Sequence, residues 1–123
     1  MSRMEDNDAD AVERVRRGST EAFRELVERH SRTVFRLAYR MTGNEQDAED
    51  MVQETFLRAY RQLNRFDSRA KFSTWLYVIA ANCSLDLIRA RKRRQESEAE
   101  VAPPEFRAEG PSPERLAQSR EIR

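Results

Sequence analysis

The sequence predicts an all-α protein: a compact bundle of three long helices plus a short N-terminal helix, with a flexible C-terminal tail. Apolar residues recur at three- and four-residue steps through three long stretches, the spacing of a buried helix face. Glycine and proline fall between these stretches rather than inside them. Gly18 and Gly43 separate the first helices, and all four prolines (Pro103, Pro104, Pro111, Pro113) lie with Gly110 beyond Arg94. No segment alternates apolar and polar residues with the period of a strand, and no internal repeat is visible.

Residues 1–7 are polar and suit a frayed end. Residues 8–17 read as a short helix with acids early, Val12 and Val15 inward and Gly18 as its stop. Ser19 or Thr20 then caps TEAFRELVERHSRTVFRLAYRMTGN, in which Phe23, Leu26, Val27, Val34, Leu37, Ala38 and Met41 keep helical phase up to Gly43. Asn44 caps the third helix, NEQDAEDMVQETFLRAYRQLNRF, with Ala48, Met51, Val52, Phe56, Ala59 and Leu63 on its inner face. Acids crowd its start (Glu45, Asp47, Glu49, Asp50, Glu54) and bases its end (Arg58, Arg61, Arg65), an arrangement the helix dipole favours by itself. Residues 64–70 form a polar loop holding Phe66.

The rest of the chain is organised around 71–94, KFSTWLYVIAANCSLDLIRARKRR. It has no Gly or Pro, and at about 1.5 Å per residue it makes a rod roughly 30 Å long. Phe72, Trp75, Leu76, Ile79, Ala80, Cys83 and Leu87 share a core-facing stripe, while Asn82, Asp86, Arg89 and Arg93 line another face. Residues 95–110 then read as a flexible linker, and Ser112-Pro113-Glu114 as a helix start that the chain, ending at Arg123, does not complete.

With 123 residues, 37% charged and 38% apolar, the chain has room for one domain with a modest core. Its net charge of +1 does not mark a nucleic-acid binder, so the distribution of charge must be read instead. Cys83 is the sole cysteine, which excludes an internal disulfide and fits a reducing cytoplasm. Signal-peptide and membrane-spanning stretches are absent, so a soluble intracellular protein without membrane association is expected. Enzyme classes find no support: there is no phosphate-cradling glycine loop, no Cys/His metal spacing and no nucleophile–base arrangement. No cofactor or metal is expected, and the single His30 and Cys83 read as packed structural residues.

Two surfaces carry more information. Arg89, Arg91, Lys92, Arg93 and Arg94 exceed what a helix C-terminus needs, and their mutual repulsion is relieved when a polyanion binds. Phe66, Phe72, Trp75 and Tyr77 lie among Asn64, Arg65, Arg69 and Lys71, a mixture that can stack unpaired bases while holding phosphates. Phe72 and Trp75 also read as core, and both uses stay open at this level. The acidic start of the third helix repels DNA and points to a basic protein partner.

At this point DAEDMVQETFLRAYR followed by FSTWLYVIAANCSLDLIRARKRR resembles region 2 of a bacterial sigma factor of the extracytoplasmic-function (ECF) type, over residues 8–94. The resemblance implies a promoter-specificity subunit that binds core RNA polymerase and recognises and helps melt the minus-ten element. It implies that Asp47, Asp50, Gln53 and Glu54 belong to a polymerase-binding helix facing the clamp helices of the largest subunit. It implies that the loop from Asn64 to Lys71, with Arg65, Phe66 and Arg69, captures a flipped base, and that Asn82 reads the minus-ten site. Arg89, Lys92 and Arg93 would hold the backbone of single-stranded non-template DNA.

Primary sigma factors carry a tryptophan pair where this chain has Val78 and Ile79, which implies a weaker wedge. An anti-sigma protein is a further partner by the same resemblance, and a monomer is the default state. The implied organisation is a helical region 2 domain over 1–94, with 95–123 a linker and the truncated start of a missing region 4. Other readings are a helical protein-interaction module without specific DNA recognition, and a helix-turn-helix repressor, which the long helices disfavour.

Overall fold

A computed structural model describes the backbone of residues 3–101 and the side chains of 7–98. It has four helices, α1 (Arg3–Arg16), α2 (Thr20–Thr42), α3 (Glu45–Gln62) and α4 (Phe72–Val101), with a 3-10 turn at Leu63–Arg65. Among the described residues none is in a strand. α2, α3 and α4 pack pairwise into the expected bundle, and α1 lies across α2 and α4.

The caps are where the sequence placed them. Ser19 Oγ accepts the Ala22 N–H at 3.1 Å, and Asn44 Oδ1 accepts the Asp47 N–H at 2.9 Å. Gly43 ends α2 in the left-handed region at φ 69° and donates its N–H to the Tyr39 carbonyl, a conformation that costs a residue with a Cβ. α1 begins earlier than 8, because an acid-rich start suits a helix N-terminus as well as it suits a frayed one. α4 runs on to Val101, past Arg94, where the linker was expected to begin. Nothing between Arg94 and Pro103 breaks a helix, and Lys92–Glu96 and Arg94–Glu98 are oppositely charged at four-residue spacing. The rest of the expected linker and the helix start at Ser112 lie outside the described residues.

Leu26, Val34, Leu76, Phe56 and Cys83 fill the centre, and the alanines 22, 38, 48, 59 and 80 are fully buried where helices meet. The core is not wholly apolar. His30 is 0% exposed, between Asp8 of α1 and Tyr77 of α4. A carboxylate only accepts, so His30 Nε2 donates to Asp8 Oδ2 at 2.9 Å, while Nδ1 pairs with the Tyr77 hydroxyl at 3.1 Å. Arg29 completes the Asp8 shell at 2.5 Å. This buried network and the bidentate Arg14–Glu25 pair, at 2.8 Å for both bonds, tie α1 to the bundle. Arg14 holds the Glu25 carboxyl below the usual carboxylate range. Among the described residues no helix is long and apolar enough to cross a membrane.

Candidate nucleic-acid interface

The outer face of α4 follows the predicted phase. Asn82, Asp86, Arg89, Lys92, Arg93 and Arg94 are exposed, whereas Phe72, Leu76, Ile79, Ala80 and Cys83 are buried. Burial pushes the Cys83 thiol above its ordinary range, as expected of a core cysteine. Trp75 is half-buried and Leu87 only partly covered, at the border of the stripe. Of the pair expected at the wedge position, Val78 is 53% exposed and Ile79 only 7%, so a single small side chain is presented there.

The basic end is divided. Arg91 turns back to α3, where Nη2 donates to Asp47 Oδ1 at 2.6 Å and Nη1 bonds the other carboxylate oxygen. Asp47, expected in the protein-binding set, therefore lies under Arg91 rather than open to solvent. Asp47 is 5% exposed, with its carboxylate filled by Arg91 and its N–H given to Asn44. Asp50 and Gln53 are exposed as predicted, with Asp50 Oδ1 accepting from Gln46 at 3.3 Å. Glu54 is half-buried and accepts from Arg58 Nε at 2.8 Å. Arg58 also reaches Asp86 of α4 at 3.3 Å, so the acidic face of α3 meets the outer face of α4 at one guanidinium.

The loop is more ordered than its polar composition suggests. Asp67 Oδ1 accepts the Arg69 N–H at 2.9 Å, and the Arg69 guanidinium forks back onto the same carboxylate. That pairing lowers the Asp67 pKa from its ordinary value and raises that of Arg69. Asn64, Arg65, Arg69 and Lys71 are all exposed. Phe66 is not: it is 6% exposed, edge-on to Phe72 with ring centres 5.8 Å apart and 5.0 Å from Trp75. The predicted base-stacking role therefore does not fit Phe66 in this arrangement, because burial against two aromatics outweighs the polarity of its neighbours in sequence. Between this loop and α1 lies a cleft of about 270 Å³ lined by Asp8, Val12, Glu13, Ser68, Lys71 and Ser73.

Two features escaped the sequence reading. Arg16 of α1 reaches the loop carbonyls, a contact across some fifty positions that no local pattern signals. Phe35 and Tyr39 stack at 6.0 Å on the outside of α2, and Phe35 borders a groove shared with Ser31, Arg32, Glu49, Val52 and Gln53. Their four-residue spacing, out of phase with the inner stripe, was the available signal.

Comparison with known proteins places this geometry. The Sigma-70 region 2 family matches residues 26–94. The ECF RNA polymerase sigma factor SigW of Bacillus subtilis is 44% identical over 91 residues, which are 74% of this chain and 49% of that protein. The ECF RNA polymerase sigma factor SigE of Mycolicibacterium smegmatis is 41% identical over 95 residues, 75% of this chain and 35% of that one. The chain thus spans about half the length, or less, of the curated relatives it matches. Among solved structures, an engineered region 2 of sigmaE in complex with GTAAAA aligns with a TM-score of 0.69 at 44% identity, covering 78% of this chain and 99% of that one. CnrH in complex with the cytosolic domain of CnrY aligns with a TM-score of 0.61 at 25% identity, over 95% of this chain and 84% of that one.

Proposed function

This chain belongs to the Sigma-70 region 2 family, in its ECF branch, and on that premise we propose that it docks on core RNA polymerase and captures the unpaired minus-ten element of a promoter. It does so as a non-enzymatic cytoplasmic module. The observation that carries the reading is the likeness to a region 2 solved in complex with GTAAAA.

The chemistry divides between reading and holding. A base inside a duplex hides its pairing edge, and extruding it costs a few kcal/mol. The cleft beside the loop offers that cost a return, through hydrogen bonds from its serines and packing against apolar walls. Asn82 has both donor and acceptor for a base edge. Arg89, Lys92 and Arg93, with Arg65 and Lys71, hold phosphates and carry no sequence information. Arg69 must first leave Asp67 to do the same. Val78 makes a shallow wedge, so melting depends on a close promoter match.

Polymerase docking is assigned to Asp50, Gln53 and Glu54, facing basic residues of the clamp helices. A protein regulator of anti-sigma type is the other proposed partner. The solved complex of CnrH with a cytosolic domain supports protein binding by this fold.

The first test is fluorescence anisotropy of labelled single-stranded DNA containing GTAAAA, against permuted strands and matching duplexes, at two salt concentrations. Preference for the unpermuted single strand supports base capture. Equal, purely salt-driven binding leaves a helical protein-interaction module with a charged end. Independently, Asp50→Arg with Glu54→Arg should abolish polymerase capture with helicity retained, and capture that survives would remove α3 from the docking surface.

A further inference from the structure

We infer that Arg16 is a positioning residue for base capture, holding the loop that forms one wall of the cleft from a helix outside the matched family segment. The inference rests on the base-capture reading above. Arg16 Nη2 donates to the Leu63 carbonyl at 3.2 Å and to the Phe66 carbonyl, and Nη1 donates to Ser68 Oγ at 2.5 Å and to Glu13 at 3.3 Å. Its guanidinium also lies over the Phe66 ring, 5.9 Å from the centre. The end of the 3-10 turn, the buried aromatic and the first exposed loop hydroxyl are therefore fixed by one planar fork.

Ser68 and Phe66 of the loop line the cleft, as does Glu13 of α1, so three of its lining residues meet at this side chain. The loop's own bonds, Phe66 N–H to Leu63 O at 3.1 Å and Ala70 N–H to Asp67 O at 2.9 Å, are short-range and leave its placement against α1 unset. A fork with several N–H donors spread over one plane can satisfy two carbonyls and a hydroxyl together; a lysine ammonium carries its three N–H groups on one nitrogen of a flexible stem and does not match that spread. Preorganising this wall lowers the ordering cost at the moment a base enters, so the gain appears in discrimination between bases.

The test is Arg16→Lys in the full chain, which preserves charge, with Arg17→Lys on the exposed neighbour as control. The readout is the ratio of affinities for the GTAAAA single strand and a permuted strand. Arg16→Lys should lower that ratio by about tenfold, the equivalent of about 1.4 kcal/mol for lost charged hydrogen bonds, with the permuted strand's affinity and salt dependence unchanged. Amide exchange at Phe66 and Ala70 should quicken, and Arg17→Lys should change neither quantity. A merely structural role would reduce both affinities together through a larger unfolded fraction and leave the ratio unmoved, which overturns the inference, as does an unchanged ratio in a folded variant. If the native chain shows no discrimination at all, base capture itself fails and takes this inference with it. If the native chain discriminates and Arg16→Lys does so equally, only the positioning role is lost.

Discussion

Asn82 faces solvent on α4, whereas Phe66 is enclosed by Phe72, Trp75 and the Arg16 guanidinium, so substitutions at the two positions act on different quantities. Truncating a buried phenylalanine removes its transfer free energy and leaves a cavity, so Phe66→Ala should cost about 3–5 kcal/mol of stability. Asn82→Ala touches no buried contact and should stay within about 0.5 kcal/mol. Base preference should move the opposite way: Asn82→Ala should flatten it, and Phe66→Ala should lower binding to every strand in step with the unfolded fraction. Thermal unfolding beside anisotropy on permuted strands separates these outcomes. A stable Phe66→Ala with altered base preference would return Phe66 to the surface role its loop position first suggested. The same contrast between local polarity and actual burial applies to Asp47. It sits among exposed acids in sequence, yet it closes onto Arg91 of another helix.

α4 is a single element that serves core and surface at once, and its two faces were legible at different depths. Periodicity fixes which residues of 72–87 point inward, because a 3.6-residue repeat maps sequence directly onto angle. The caps Ser19 and Asn44 and the stop at Gly43 were legible for the same reason: each is a local demand of a helix end. Contacts such as Arg16 to Phe66, Asp8 to His30 and Arg91 to Asp47 were not, since they join positions 22 to 50 residues apart and depend on how the helices dock. Within α4, Ser84 is 0% exposed and its hydroxyl is without a hydrogen-bond partner. Such a group forfeits its hydration, and serine is also a weaker helix former than alanine. Ser84→Ala should therefore raise stability by about 1 kcal/mol, read as a higher urea midpoint at unchanged slope. A lower midpoint would mean that the hydroxyl fills space the methyl cannot.

At the scale of the whole molecule, a net charge of +1 conceals a partition of charge by partner. Twenty-three basic and 22 acidic residues nearly cancel in number, but the cancellation is local between helices and incomplete on the outer face of α4. Arg14, Arg29, Arg58 and Arg91 are bound to carboxylates of other helices or turns, whereas Arg89, Lys92 and Arg93 project from α4 into solvent. Bases of the first kind hold helices together; those of the second kind are the phosphate contacts of the proposed function. Single-strand binding releases about 0.7 counterion per phosphate neutralised, so each contacting base adds roughly that much to the slope of log affinity against log salt. Arg89→Ala, Lys92→Ala and Arg93→Ala should each flatten the slope by about 0.7, weaken binding to all sequences alike and leave stability unchanged. Arg91→Ala should do the reverse, leaving the slope intact while lowering stability by about 1–3 kcal/mol as the Asp47 carboxylate loses its charged hydrogen bonds. Four salt titrations and four unfolding curves decide the matter. Should Arg91→Ala flatten the slope as the others do, its pairing with Asp47 opens on binding, and the link between α3 and α4 belongs to the DNA-bound state's energetics rather than to the fold's.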